Sequence, residues 1–215
     1  LVNKEKMLKK IRASLVLPSE TAYPDIDNAH NVLTASDDLL IDFAKVFTQQ
    51  NGNFFYCENE ISLAESFLAL CENHNWNELS FCDIPTNALL KYFEFPGVQI
   101  DFKSNLKYCF VQKCDALLVG GELIFRNAFA PVKQALSITD NIILIIDASR
   151  IFQRLGEAMD YLAKEKTVQS NGLYITTAHA MCRPYTYNEL NQKIAEKNIY
   201  LFVAENLDNA LSLEK

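Results

Sequence analysis

The chain has 215 residues, of which 20 are Lys or Arg and 27 are Asp or Glu, so its formal net charge is −7 at pH 7. With 49% hydrophobic and 22% charged residues it can bury a substantial core, which excludes global disorder. The acidic balance argues against a nucleic-acid partner, because such proteins present a basic surface to the phosphates. The length suits one large domain.

No segment of the sequence predicts a membrane span or a secretory signal. The longest aliphatic run covers residues 142–146, whereas a spanning helix needs about 20 apolar residues. The charged N-terminal stretch is not followed by an apolar stretch with a small-residue cleavage site. We therefore expect a cytoplasmic protein that does not contact a membrane.

The predicted elements begin with a short amphipathic helix, in which Met7, Ile11 and Leu15 recur at helical spacing. A polar stretch with two prolines follows it. We therefore assign residues 1–32 to a helical N-terminal extension and residues 33–215 to a single α/β domain.

Apolar segments of two kinds alternate along that domain. The periodic ones predict helices over residues 36–48, 61–72, 87–93, 150–164, 187–197 and 207–213. The short runs predict strands over residues 53–57, 79–82, 98–102, 116–119, 123–125, 142–146, 173–176 and 199–203. Two of these strands flank Gly120, Gly121 and Glu122, a spacing typical of a strand–turn–strand unit. The alternation predicts a three-layer α/β/α domain with a largely parallel sheet.

Glycine is scarce, with six residues in the whole chain. Phosphate-binding loops use glycine so that backbone N–H groups approach the anion closely. Neither the Gly-x-Gly-x-x-Gly nor the Gly-x-x-x-x-Gly-Lys-Ser/Thr pattern occurs. The sequence therefore argues against an ordinary dinucleotide-dependent dehydrogenase or a P-loop enzyme.

The six cysteines predict buried thiols in a reducing compartment rather than a disulfide scaffold or a metal site. Cys71 and His74 are three residues apart and Cys82 follows, but a zinc site normally has four ligands in paired clusters. An iron–sulfur centre requires a cysteine-rich run, and no Cys-x-x-Cys occurs. We therefore predict no metal and no cofactor.

Three residues at predicted strand ends are the catalytic candidates, because ligands of open α/β sheets bind beyond the carboxyl ends of the strands. They are Glu122, Asp147 and His179. Glu122 is either a nucleophilic carboxylate or a solvent-facing side chain beside a turn. Asp147 either takes part in chemistry or caps the helix that follows. His179 is either a general base or a histidine at a helix start without such a role.

The candidate ligand-binding residues flank these three. They are Gly120, Gly121, Arg126, Thr176, Thr177 and Arg183. Arginine suits a carboxylate or a phosphate because its guanidinium group donates two parallel hydrogen bonds. The glycine pair has the alternative of turn geometry at positive φ. The set predicts a small anionic ligand.

Three segments resemble lactate-utilisation protein C, a LUD-domain family. Residues 7–15 read MLKKIRASL and precede a proline-containing polar stretch, as at the start of that family. Residues 114–119 are similar to its Ala-Asp strand, and residues 167–177 to its later Ser/Thr-rich strand. The resemblance implies the fold shared by ribose-5-phosphate isomerase, glucosamine-6-phosphate deaminase and coenzyme A transferases. It also implies a part in bacterial L-lactate oxidation, beside an iron–sulfur flavoprotein complex.

The sequence departs from that family at its small-residue turns. Residues 120–123 read GGEL where the family has Glu-Thr-Gly-Thr, and residues 177–183 read TAHAMCR where it has Gly-Pro-Ser-x-Thr-Ala-Asp-Ile. The family's Gly-x-His-Gly-Pro is replaced by AEKN at residues 195–198. These departures indicate a divergent member.

The leading hypothesis is an accessory or small-molecule-binding component of lactate or related organic-acid oxidation. Its expected partners are an iron–sulfur oxidoreductase complex, a small anionic ligand and further copies of the same chain in a homo-oligomer. One alternative is an enzyme of the isomerase or acyl/coenzyme A transferase type that acts on a small anionic substrate. Another is a pseudo-enzyme that uses the fold for protein–protein contact.

Overall fold

The computed structural model describes residues 38–99, 109–126, 139–165, 173–182 and 197–208. The helices in these ranges are α1 Leu39–Gln49, α2 Glu60–Asn73, α3 Ile84–Tyr92, α4 Leu155–Lys164 and α5 Ala178–Cys182. The strands are β1 Gly52–Cys57, β2 Leu79–Phe81, β3 Gly97–Gln99, β4 Cys109–Lys113, β5 Ala116–Leu118, β6 Glu122–Arg126, β7 Asn141–Asp147, β8 Ile151–Phe152, β9 Leu173–Thr177 and β10 Asn198–Ala204. The predicted N-terminal extension, and all but the last residue of the helix predicted over residues 187–197, lie outside the described ranges.

Six parallel strands form the main sheet, in the order β1-β10-β7-β4-β2-β3. Strand β7 lies between β10 and β4, and its residues 142–146 are all buried. β-Branched side chains on both faces of a strand suit this position, because a central parallel strand is covered on both sides. The prediction of a largely parallel sheet is confirmed.

Helices cover both faces of the main sheet. On one face, α2 and α3 bury Phe67 and Leu89 in a cluster that contains Ile143. On the other face, α1 buries Phe43 in a cluster that contains Leu144. Successive strand residues point to opposite faces, so β7 contributes to both clusters. This is the three-layer α/β/α arrangement predicted from the sequence.

Strands β8, β5, β6 and β9 form a second, mixed sheet in that order. Strands β5 and β6 pair antiparallel, which confirms the strand–turn–strand prediction around Gly120 and Gly121. Leu123 of this sheet belongs to the core cluster of α1, whereas Ala158 and Leu162 of α4 pack on its other face. The second sheet therefore lies between α4 and the α1 face of the main sheet.

Side-chain caps fix where the helices begin. Asn59 and Ser62 form a reciprocal capping box at the start of α2. The carboxylate of Asp83 accepts the N–H of Thr86, so α3 begins at Ile84 rather than at residue 87 as predicted. None of the helices in the described part of the chain is long and apolar enough to cross a bilayer.

The segment predicted as one helix over residues 150–164 contains three elements. Asp147 caps a 3-10 turn at Ala148–Arg150, and β8 follows it. Strand β8 pairs in parallel with β5, and α4 begins only at Leu155. Hydrogen bonding to β5 therefore removes the first residues of that segment from the helix.

Candidate functional site

Six of the candidates proposed from the sequence lie together in what we call the turn group: Gly120, Gly121, Glu122, Thr176, Thr177 and His179. Glu122 pairs with Thr177 across strands β6 and β9. Residues directly opposite each other in an antiparallel pair are neighbours on one face of the sheet. His179 lies two residues beyond Thr177, in α5. The candidate residues that follow β5 and those at the end of β9 and the start of α5 therefore lie next to each other in the structure.

The turn group lies near the amino end of β1. Gly121 adopts a φ of 90°, and a Cβ atom there would lie 2.8 Å from Cγ1 of Val46 in α1. Helix α1 leads directly into β1, so its last turn lies at the amino edge of the main sheet. In open α/β sheets, ligands bind at the opposite, carboxyl edge. Because the turn group belongs to the second sheet, it does not lie at the carboxyl edge of the main sheet, where the strand-end rule places ligands.

The polar atoms of the turn group have local structural roles. The hydroxyl of Thr177 accepts the N–H of Ala180 at 3.2 Å and so caps α5. The carboxylate of Glu122 lies against Gly120, where a Cβ atom would be 2.6 Å from its Oε2. His179 is exposed, and Thr176 is buried. The group therefore offers one carboxylate and one imidazole beside a tight turn.

Asp147 lies at the carboxyl edge of the main sheet, as the last residue of β7. Its Oδ1 accepts hydrogen bonds from the backbone N–H of Ser149 at 2.8 Å and from the Ser149 hydroxyl at 2.6 Å. Its Oδ2 accepts the backbone N–H of Asp208 at 3.0 Å. Both carboxylate oxygens therefore hold backbone segments that follow strands β7 and β10.

Of the two candidate arginines, Arg126 lies away from the turn group. Arg126 ends β6, four residues from Glu122, which is about 13 Å along an extended strand. It donates to Asp115 through its backbone N–H at 2.6 Å and through Nε at 2.9 Å. Arg183 lies outside the described residues. Arg126 instead belongs with the charged residues near Asp147.

Six charged side chains of alternating sign form a continuous array, which we call the ionic chain. In order they are Lys113, Asp208, Arg150, Glu165, Arg126 and Asp115. Lys113 Nζ lies 2.5 Å from Asp208 Oδ1, and Arg150 Nε donates to Asp208 Oδ2. Glu165 bridges the guanidinium groups of Arg150 and Arg126, each at 2.5 Å. The array contains three cations and three carboxylates, so its formal charge is zero.

The ionic chain joins the two sheets at the carboxyl edge of the main sheet. Lys113 ends β4, Arg150 follows β7 and Asp208 follows β10, whereas Arg126 ends β6 of the second sheet. The side chains in the array are between 9% and 25% exposed. Sequence reasoning did not select Lys113, Glu165 or Asp208. The one signal that could have identified Lys113 was its position, because it is a charged residue at the end of a buried strand.

Burial and ion pairing act in opposite directions on the pKa values of these groups. Burial by itself raises the pKa of the Asp208 carboxyl, but Lys113 and Arg150 outweigh it and leave that pKa below its ordinary value. Burial raises the pKa of Asp115 above its ordinary value, although Arg126 opposes the shift. Burial by itself lowers the pKa of Arg150, but the carboxylates of Asp208 and Glu165 outweigh burial and leave that pKa above its ordinary value. This arginine therefore stays charged.

A second set of hydrogen bonds fixes the end of β4, where strand order reverses. After β2 the next strand of the main sheet, β3, lies on the side away from β4, whereas after β4 the next strand, β7, lies on the side away from β2. A crevice opens in α/β sheets between two strands whose connections leave in opposite directions. Gln112, which is buried, donates its amide to Asp83 at the start of α3. The Thr86 hydroxyl accepts the N–H of Lys113 at 3.0 Å. The backbone of Lys113 is therefore held independently of its ammonium group.

The described cysteines are free thiols. Cys57, Cys71, Cys109 and Cys114 are buried, as predicted, and Cys82 is half-buried. Burial raises the pKa of Cys57 to about 11 and that of Cys71 to about 12, so these thiols stay protonated near neutral pH. In the ranges that the structure covers, no three His, Cys, Asp or Glu side chains form a group that could hold a metal ion.

Comparison with known proteins identifies the fold. No protein-family model matches the sequence, and no curated protein matches it. A solved structure of a DUF162 family protein from Deinococcus radiodurans is similar, with a TM-score of 0.54 and 11% sequence identity. The match covers 78% of this chain and 96% of that chain. At this identity the similarity shows a shared fold.

Two isomerases are more distant. The match to ribose 5 phosphate isomerase A from Neisseria gonorrhoeae has 16% identity and a TM-score of 0.29, and covers 57% of this chain and 56% of that one. The match to ribose 5-phosphate isomerase from Plasmodium falciparum has 14% identity and a TM-score of 0.28, with coverage of 63% and 71%. The sheets and helices described above make the chain a three-layer α/β/α protein, and it shares its fold with the DUF162 family protein.

Proposed function

We propose that this chain is an accessory, small-molecule-binding component of bacterial L-lactate or related organic-acid oxidation. Two independent features support the proposal. The sequence resembles lactate-utilisation protein C in three segments. The fold also provides a carboxyl edge at which α/β proteins bind small ligands.

The observation that carries the proposal is the pair of cations at that edge. Lys113 and Arg150 come from neighbouring strands β4 and β7 and hold one carboxylate between them. A guanidinium and an ammonium group around a carboxylate form strong, charge-assisted hydrogen bonds. This is the chemistry that recognises a small organic acid. The turn group, in contrast, combines a single carboxylate with an exposed imidazole.

We assign the partner of this accessory component to an iron–sulfur oxidoreductase complex. The assignment follows from the family resemblance. Affinity purification of the tagged chain from lactate-grown cells is expected to recover cluster-carrying subunits. The same purification from cells grown on glucose provides the control.

Genetic complementation tests the proposal. Deletion of the gene is expected to abolish or strongly slow L-lactate oxidation, and the wild-type chain restores it. Lys113→Gln is expected to fail, because it removes one of the two cations at the carboxyl edge. Lys113→Arg retains the positive charge and is expected to restore at least part of the rate. Immunoblots confirm that all variants accumulate equally.

Two matched variants distinguish this proposal from its rivals. Lys45→Gln removes an exposed lysine of α1 and is expected to complement fully. Glu122→Gln neutralises the carboxylate of the turn group and is also expected to complement. A deletion strain that oxidises lactate at the parental rate would contradict the proposal. Failure of Glu122→Gln alone would instead favour an enzyme that acts on an anionic substrate at the turn group.

A further inference from the structure

We propose that Asp208 is a built-in competitor that fills a site for a small, singly charged carboxylate between Lys113 and Arg150. The inference deepens the proposed function and rests on it for the identity of the natural ligand. It assigns to Asp208 a role in regulating access to the carboxyl edge. A ligand carboxylate and the side chain of Asp208 then exclude each other.

The position of Asp208 at the carboxyl edge supports the proposal. Strands β10, β7 and β4 are consecutive in the main sheet, and Asp208 follows the first of them. Its carboxylate nevertheless reaches Lys113 at the end of β4, while its backbone N–H donates to Asp147 at the end of β7. The residue therefore lies across the carboxyl ends of three central strands. This is where an open α/β sheet places its ligand.

The contacts of the Asp208 carboxylate also support the proposal. One oxygen of Asp208 contacts the Lys113 ammonium group, and the other accepts the Nε–H of Arg150. Each oxygen thus has its own cationic donor, the arrangement that a free carboxylate would require. The side chain of Asp208 is 25% exposed, so its outer surface is open to solvent.

The Arg150 guanidinium group and the backbone of Lys113 keep other contacts when the carboxylate of Asp208 is removed. Arg150 donates to Glu165 at 2.5 Å and to the carbonyl oxygen of Asp115 at 3.3 Å, and its guanidinium carbon lies 5.5 Å from the centre of the Tyr161 ring. The backbone of Lys113 is fixed by Thr86. A preorganised site loses less conformational entropy when a ligand binds.

Leu207 keeps the backbone of this segment in place. It is fully buried in the cluster on the α2 face of the main sheet. Its neighbour Asn206 adopts a φ of 58°, which turns the chain after β10. Truncating the side chain of Asp208 therefore empties the carboxylate position without removing the contacts that position the chain around it.

The charge balance determines the class of ligand. With Asp208 the ionic chain contains three cations and three carboxylates, and without it one positive charge is in excess. Asp147 accepts the backbone N–H of Asp208 and Glu165 binds the Arg150 guanidinium group, so both carboxylates lie near the vacated position and would repel a second negative charge. A monocarboxylate such as acetate or L-lactate fits this balance, whereas a dicarboxylate or a doubly charged phosphate does not.

Chemical rescue of the purified full-length Asp208→Ala variant tests the proposal. The variant is expected to unfold about 5 °C below the wild type, because two cations lose a shared partner. Sodium acetate and sodium L-lactate are then expected to raise its melting temperature along a saturable curve. Sodium chloride at equal ionic strength is not. The apparent affinity for acetate should exceed that of the wild type at least about tenfold, the factor that corresponds to about 1.4 kcal/mol.

Three controls define the outcome. Asp160→Ala removes an exposed carboxylate of α4 and should show no acetate effect beyond that of the wild type. The double variant Asp208→Ala with Lys113→Met should lose the saturable response. Succinate should rescue Asp208→Ala more weakly than acetate. If Asp208→Ala does not fold alone, the refolding yield of this variant against acetate concentration replaces the melting temperature.

An acetate response in Asp208→Ala equal to that of Asp160→Ala would overturn the proposal. Equal rescue by succinate and acetate would overturn the charge assignment. These outcomes are separate from those of the genetic test. Rescue by acetate in a protein whose deletion leaves lactate oxidation intact rejects only the proposed function. Loss of lactate oxidation without acetate rescue rejects only the role of Asp208.

Discussion

At the scale of single residues, the two aspartates at and near the ends of the ionic chain differ in what their ionisation does to stability. Asp208 has two cationic partners, which lower its pKa despite burial. Asp115 is more strongly affected by burial, and its pKa is raised although Arg126 binds both of its oxygens. Ionisation of the same kind of side chain therefore stabilises the folded state at Asp208 and destabilises it at Asp115.

The pH dependence of Asp208 follows from the sign of its shift. Its folded-state pKa is below the ordinary value of 3.8, so its ion pairs stabilise the fold above that pH. The stabilisation is lost as the pH falls from 3.8 through the folded-state pKa. Wild type is therefore expected to be about 1–2 kcal/mol more stable than Asp208→Asn at pH 7, and the difference should shrink towards pH 3.

Urea unfolding at several pH values measures this difference directly. Comparing the two proteins cancels the contribution of Asp115, which has the opposite sign because its pKa is raised. Asp147, Lys113 and Arg150 face Asp208 and are present in both proteins. Parallel stability curves from pH 7 to pH 3 would show that Asp208 is not paired as described.

Some of the site residues and their contacts could be predicted from the sequence. Strand ends and turn residues selected Glu122 and Thr177, which are direct neighbours in the structure, and the capping alternative for Asp147 describes its actual hydrogen bonds. Lys113 and Asp208 were not found, because 95 positions separate them and no local pattern connects them. Ion pairs between distant segments depend on the fold, which local periodicity does not encode.

At the scale of elements, the hairpin between β5 and β6 depends on one backbone conformation. Gly121 has a φ of 90°, in the region that side chains with a Cβ atom rarely adopt. A Cβ atom there would also lie 2.8 Å from Val46. The close approach of α1 to the turn therefore requires glycine.

Gly121→Ala is expected to lower the free energy of unfolding by about 1–3 kcal/mol. Gly156→Ala is the matched control, because Gly156 lies in the first turn of α4 with no atom within 4 Å of an added Cβ. That replacement is expected to be neutral or to stabilise by up to about 1 kcal/mol. Urea unfolding of both variants measures the contrast, and equal effects would contradict the described turn.

Element type was more predictable than sheet membership. The apolar run at residues 142–146 and the two runs around the glycine pair were recognised as strands, and the structure has them as β7, β5 and β6. Their division between two sheets was not predicted, because periodicity shows that a segment is a strand but not which strand it pairs with. The two-residue strand β8 is too short to give any periodic signal.

At the scale of the whole molecule, two edges of the main sheet compete for the role of functional site. The turn group lies at the amino edge and contains most of the residues selected from the sequence. The ionic chain lies at the carboxyl edge and joins the main sheet to the second sheet. Fold and charge together favour the carboxyl edge, because it combines the position and the cationic groups that an organic acid requires.

The most direct measurement of this claim is an NMR titration of isotopically labelled Asp208→Ala protein with acetate. We predict that the largest saturable amide shifts occur at Lys113 and Arg150, with small shifts at Gly121, Glu122 and Thr177. The reason is that bound carboxylate would contact the residues that held Asp208. Shifts concentrated at Gly121, Glu122 and Thr177, or no saturable shifts at all, would contradict the assignment of the ligand site to the carboxyl edge.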